Sequence, residues 1–233
     1  IILCACALDM RKYLVKKYVA KKIGEECVIP LYGVWNHFQD IDFASLPDRF
    51  VLKSTHDCGG VVVCKDKEQI DLKKLEAFFE KRLKKNYFWW RREWPYKNIV
   101  PRIIAEEYVQ DCDKEYLPVY KFFCFHGVPK IIQSIQNDKQ KDETIDYFDT
   151  EWNLLDLKQN FPNSKNPLSK PEKLEEMVEI ASKLSEGHDF IRVDLYVIND
   201  EIKFSEFTFY SDAGINVFTP EYWDEKLGSW MKI

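Results

Sequence analysis

Apolar positions along this chain recur at two periods, and those periods predict its elements. Over 9–24, Leu14, Val15, Tyr18 and Val19 form a helical stripe, with Asp9 placed to cap it and Gly24 to end it. Over 71–85, Leu72, Leu75, Phe78, Phe79 and Leu83 recur at helical spacing, which predicts an amphipathic helix with all of them inward. Pro171 opens a third helical pattern that runs to Gly187, with Leu174, Met177, Val178, Ala181 and Leu184 on one face.

Short β-branched and aromatic runs predict strands at 50–53, 61–64, 102–109, 119–125 and 130–136. A hairpin is predicted from 190–198 and 202–210, turning at 199–201. Residues 42–47 read as a turn and 160–170 as a polar loop, while the aromatic and basic stretch 86–96 fits neither period. Strands and helices mix without regular βαβ alternation, so the fold class expected is α+β with mainly antiparallel sheets.

The hairpin carries the first chemical signal. With a three-residue turn centred on Asp200, Asp194 lies opposite Glu206 and Arg192 opposite Thr208, all four on one face. Ile191, Val193, Leu195 and Val197 fill the other face. Two facing carboxylates repel. A hard cation such as Mg²⁺ would offset that cost, and so would Arg192 by neutralising one of them. Acids on a solvated strand face are an equally good reading of the hairpin alone, and a two-residue turn would break the register.

A second signal is Lys53, which ends an apolar strand and precedes 54–60, a loop with Ser54, Thr55 and the pair Gly59–Gly60. Such a loop turns backbone N–H groups toward a phosphate with a lysine beside it. An ordinary hairpin is the competing reading, since the GxxxxGK[ST] pattern is absent and a strand follows. Trp89, Trp90, Trp94 and Tyr96 suit either a ring-stacking platform or packing.

Composition narrows the classes. The 233 residues suffice for one large domain or two small intertwined ones. A net charge of −5 argues against a nucleic-acid footprint. No apolar run is long enough to span a membrane, and the opening Ile1–Leu8 stretch is too short and has no charged lead-in. The chain does not begin with Met, which suggests that a preceding segment is missing. Seven cysteines at irregular spacing, with no CxxC pair and four His, read as reduced thiols of a cytoplasmic protein.

The order of the pieces resembles the ATP-grasp superfamily, and within it the TupA-like ATP-grasp family associated with bacterial cell-surface polysaccharide synthesis. The residues that carry it are 50–53 with Gly59–Gly60, 92–97, 101–109, 120–125 with Gly127, Arg192-Val193-Asp194, 206–210 and 220–224. The resemblance implies two mainly antiparallel sheet subdomains gripping ATP. It places a remnant of an N-terminal subdomain at 1–45, the small subdomain at 46–109 and the large one at 110–233.

By the same resemblance, Lys53 and Lys12 contact phosphates, Gly59 and Gly60 cover them, and Glu106, Glu107, Tyr108 and Val109 form the adenine hinge. Backbone contacts are expected from Glu107 and Val109. Lys121 faces the nucleotide. Asp194 and Glu206 bind Mg²⁺ with Thr208 as a third ligand, and Arg192 steadies the transferring phosphoryl group. The sequence departs from the family at Arg11 and Val119, where acids are common; Thr208, where many ATP-grasp enzymes have Asn, looks normal for this family but is a weaker metal ligand. The Val119 change moves the expected ribose contact to Asp111, Asp113 or Glu115. The implied activity is ATP-dependent ligation of a small-molecule carboxylate to an amine or sugar acceptor through an acyl phosphate. A glycosyltransferase, a kinase and a nucleotide-binding module without turnover are the alternatives.

Overall fold

A computed structural model describes residues 12–111, 117–137 and 140–231, without the side chains of Lys12, Arg91 and Pro95. The chain divides into two compact units. One comprises residues up to Tyr18 with Ile29–Val109, the other Val19–Val28 with Gln110 onward. Helix α1, Lys12–Ile23, contributes to both and ends at Gly24, whose φ of 111° suits glycine.

The first unit is built on a four-stranded antiparallel sheet: β1 (Leu31–Trp35), β2 (Phe50–Ser54), β3 (Val61–Cys64) and β4 (Ile103–Glu107), in spatial order β1-β4-β2-β3. Helix α2, Leu72–Leu83, starts where the Asp71 carboxylate accepts the Lys74 N–H at 3.1 Å. Its Leu75 and Phe79 join Phe50, Leu52, Ile103 and Ala105 in one core. Phe79 is fully buried, which contributes about 1.5–3 kcal/mol. Leu72 departs from the expected stripe and is 46% exposed. It sits at the first helical position, beside the exposed Asp71 cap and beyond the edge of that core. The unclassified stretch 86–96 folds as a four-residue helix α3, Phe88–Arg91, and a 3₁₀ turn, Trp94–Tyr96.

The second unit holds a five-stranded antiparallel sheet in order β7-β6-β5-β8-β9. Its strands are β5 (Val119–Phe125), β6 (Val128–Gln136), β7 (Thr144–Phe148), β8 (Phe190–Ile198) and β9 (Glu201–Thr208). Helix α4, Leu174–Ser185, begins three residues after Pro171 and covers one face of β5, β6 and β8. Its buried stripe uses Ile180, while Val178 is half-buried. The Cys124 thiol points at the Ala181 carbonyl, which places the even-numbered β5 residues under α4. Lys121, Phe123 and Phe125 therefore face the other side, where Phe125 meets Trp230 of α5 (Tyr222–Met231).

The β8–β9 turn is shorter than expected. Ile198 pairs with Glu201, so the turn is the two residues Asn199 and Asp200, with φ of 49° and 62°. Two left-handed residues match the twist of the flanking strands. A bulge between Asp194 and Leu195 then adds one residue, Ser205, to β9. The extra residue restores the parity, and Asp194 pairs with Glu206 and Arg192 with Thr208.

Candidate functional site

Each unit carries one charged cluster on its sheet. In the first unit, Glu106 on β4 is 3% exposed and lies between two lysines. Lys53 of β2 reaches one of its carboxylate oxygens at 2.5 Å, and Lys16 of α1 reaches the other at 3.2 Å. Lys16 also donates to the Ile29 carbonyl at 2.7 Å. Burial opposes ionisation of Glu106, yet the two lysines outweigh it and hold its pKa below the ordinary value. Burial, with like-charge pressure from Lys53, moves Lys16 the other way, below its ordinary value despite the Glu106 partner. Two cations around one carboxylate leave a positive excess, which suits an anion. Lys16 gave no signal in the sequence, because nothing in the 9–24 pattern distinguishes it from the other helix lysines.

The loop after Lys53 has a fixed base. Ser54, Thr55, His56 and Asp57 are all buried, whereas Cys58 and Gly59 are exposed. Asp57 accepts from the Ser54 hydroxyl and from Arg82 Nη1. The Ser54 N–H donates to the Gly60 carbonyl at 2.7 Å, and His56 Nε2 sits 2.9 Å from the Arg82 carbonyl. A Cβ on Gly60 would overlap the Ser54 hydroxyl and the Asp57 carboxylate, so only glycine fits there. Gly59 has open space around it but a φ of 85°.

At the expected hinge, Glu106 and Glu107 close β4 and Tyr108 and Val109 follow outside the strand. The Glu107 N–H already donates to the Pro30 carbonyl at 3.0 Å. Arg49 stacks over the Tyr108 ring at 4.5 Å. The side chain of Lys12 lies outside the described residues, as do Arg11, Asp113 and Glu115. Asp111 is buried.

In the second unit the strand registers build a polar row across the whole sheet. Tyr147, Gln133, Lys121, Asp194 and Glu206 are successive cross-strand partners on β7, β6, β5, β8 and β9. They share the face that α4 does not cover. Asp194 is 1% exposed, and Arg192 holds both of its oxygens, from Nε and Nη2 at 2.8 Å each. Lys121 lies 3.7 Å from the same carboxylate. Arg192 also donates to the Ser211 hydroxyl at 3.1 Å and comes within 3.8 Å of Glu206. Burial disfavours the guanidinium charge, but Asp194, Glu206 and Asp212 together raise its pKa above the ordinary value.

Glu206 differs from Asp194 in that its side chain is 54% exposed. The bidentate Arg192 pair uses one lone pair on each Asp194 oxygen and leaves others for a further ligand. Among the described residues no group of three or more His, Cys, Asp or Glu side chains gathers at a metal-binding distance. Two facing carboxylates, one buried and one open, are a donor set of the oxygen type that a hard cation keeping most of its waters would take. Sequence reasoning missed Ser211 and Asp212, which follow β9 in a short turn. Asp212, Ala213 and Gly214 have φ of 49°, 57° and 70°, and the Asp–Ala–Gly string does not announce three left-handed residues.

A model of the TupA-like ATP-grasp family matches residues 6–232. The chain belongs to that family. The ATP-grasp fold agrees with its two antiparallel sheets and with solved structures. D-alanine–D-alanine ligase from Bacillus anthracis superposes with a TM-score of 0.55 at 18% identity, over 96% of this chain and 66% of that one. The ATP-grasp ligase PsnB, complexed with a phosphomimetic variant of its minimal precursor, Mg and ADP, gives 0.51 at 10% identity, over 97% and 60%. Against three such structures this TupA-like chain spans 44%, 53% and 66% of the other chain's length. No curated protein matches.

Proposed function

We propose that this TupA-like chain is an ATP-dependent carboxylate–amine ligase. The observation that carries the reading is the β8–β9 hairpin, where buried Asp194, clamped by Arg192, faces open Glu206 in a row with Lys121. Family membership supplies the reaction class. In this reading a substrate carboxylate oxygen attacks the γ-phosphorus of ATP. The new O–P bond forms as the bond to the β–γ bridging oxygen breaks, and ADP leaves. An amine nitrogen then attacks the acyl carbon, phosphate departs, and the amine proton is lost to solvent.

Mg²⁺ would be held by Asp194 and Glu206, with Thr208 as a weaker third ligand, and would neutralise phosphate charge. Arg192 orients Asp194 and presents a fixed cation to the transferring group. Lys53 and Lys16, sharing Glu106, supply the positive excess that binds phosphates, with Lys12 assigned to the same role by resemblance. Gly59 and Gly60 allow backbone to approach the phosphates. Lys121 faces the nucleotide. The Glu107 carbonyl and the Val109 backbone are the groups left to meet adenine, since the Glu107 N–H is already engaged. No side chain need act as nucleophile; positioning and charge stabilisation do the work. The family's association with surface-polysaccharide synthesis suggests substrates such as a uronic acid or amino sugar joined to an amino acid.

The test is release of ADP and phosphate from ATP on incubation with Mg²⁺, candidate carboxylates and amines. Turnover that needs both acceptors supports the ligase. ADP release with no amine consumed would make it a kinase instead. Full turnover in Asp194→Asn/Glu206→Gln would sink the metal assignment.

A further inference from the structure

Residues 81–97 of the first unit stand apart from the rest of the chain. They carry seven basic residues and one acid, Glu93, in a protein of net charge −5. Arg82 is committed to Asp57, but Lys84, Lys85 and Arg92 are exposed. In the same stretch Trp89 and Trp90 are 64% and 71% exposed, and Trp94 is 47% exposed. Indoles this open to water are uncommon on a domain surface and mark a contact site.

The segment is held in shape. The Asn86 amide donates to the Lys97 carbonyl at 3.0 Å and its oxygen accepts from the Phe88 N–H at 2.9 Å, which closes the stretch into a loop. Phe88 packs edge-on to both Trp89 and Trp94, and Tyr87 to Trp90. Arg92 lies over the Trp89 ring at 5.0 Å and Lys97 over Trp94 at 4.1 Å. Arg92 and Lys97 thus sit beside the indoles.

From this arrangement we infer that segment 84–97 is a peripheral docking site for an anionic membrane surface. Tryptophan favours the interface between headgroups and acyl chains, where its ring is apolar and its N–H stays wet. Lysine and arginine beside it are drawn by anionic headgroups. A sugar platform shares the stacked rings, but it also needs amides or carboxylates to orient hydroxyls. Here both side-chain polar atoms of Asn86 are committed and Glu93 is half-buried. The charge excess, positive and clustered, complements a lipid surface better than a neutral glycan.

Co-sedimentation of the full chain with lipid vesicles tests this. Binding is expected to vesicles of phosphatidylcholine with about one-third phosphatidylglycerol and not to phosphatidylcholine alone, and it falls steeply as salt is raised to about 0.5 M. Trp89→Ser/Trp90→Ser weakens it by about tenfold or more, and Lys84→Gln/Lys85→Gln/Arg92→Gln by about a hundredfold. The charge variant replaces only exposed side chains and decides the matter if the tryptophan variant misfolds. Absence of binding to the anionic vesicles, undiminished binding by both variants, or displacement by free N-acetylglucosamine, which marks a sugar platform, each overturns the inference.

Discussion

Asp194 and Glu206 face one another across β8 and β9 because Ser205 bulges out of β9 and offsets a turn one residue shorter than their pairing alone implies. Turn and bulge are coupled features. Removing either one alone flips the side chains beyond it to the opposite face of the sheet.

That coupling predicts opposite outcomes for two changes in one hairpin. Asp200→Gly relieves a left-handed residue at the second turn position and gives the Asn-Gly pair that such turns favour. It is expected to raise stability by about 0.5 kcal/mol, read as a higher thermal midpoint. Deleting Ser205 turns Glu206 toward the α4 side and Phe207 toward the polar row. Loss of cooperative unfolding is expected in calorimetry.

Glu106 makes the first unit acid-sensitive. Burial opposes its ionisation, the two lysines prevail, and its folded pKa lies below the usual value. Its stabilising contribution is therefore complete above the unfolded pKa of about 4.3 and is lost as pH falls through the folded value. Urea midpoints measured from pH 7 to pH 3 should drop on that limb. Glu106→Gln leaves two lysines without a counter-charge. It should cost about 3 kcal/mol at neutral pH and flatten the acid limb.

Arg192→Lys keeps a positive charge but loses the fork that grips both Asp194 oxygens. In the ligase reading, turnover falls by about a hundredfold or more, with a smaller change in the KM for ATP. A variant with unchanged kcat would remove Arg192 from the transferring group.

The two glycines after Lys53 should respond differently. Gly60→Ala drives a methyl into the Ser54 hydroxyl and the Asp57 carboxylate, and about 2 kcal/mol of destabilisation is expected. Gly59→Ala meets open space and suffers only its positive φ, worth about 1 kcal/mol. Paired denaturation curves separate the two, and equal losses would contradict the packing account.

Much of this architecture is legible in the sequence where one face is apolar and the other is not. The helices α2 and α4 announce themselves that way, while β5 is legible as a run of seven residues that is apolar or aromatic except at Lys121. Strand β7 is not. Ile145, Asp146, Tyr147 and Phe148 are all buried, so no alternation survives for a period to detect. Strand β1 is hidden for the opposite reason, since its positions are mostly half-exposed. At the candidate site, the Asp194–Glu206 pairing is recoverable from parity, although its cause is a bulge that no residue type advertises. The sharing of Glu106 by Lys53 and Lys16 is not recoverable, because it depends on how α1 lies against β4.

The polar row across the second sheet also has a far end. Gln133 donates to the Tyr147 hydroxyl at 3.2 Å, and that hydroxyl lies 3.5 Å from the Gln159 amide oxygen. Gln159 comes from a stretch that reads as connecting filler between strand and helix, yet it is buried. Gln133 is the register partner of Lys121, so the neutral, hydrogen-bonded end of the row adjoins its charged end. Drift at a loop glutamine, with no charge and no place in any motif, would take an acceptor from a buried tyrosine hydroxyl and loosen this sheet from its neutral end.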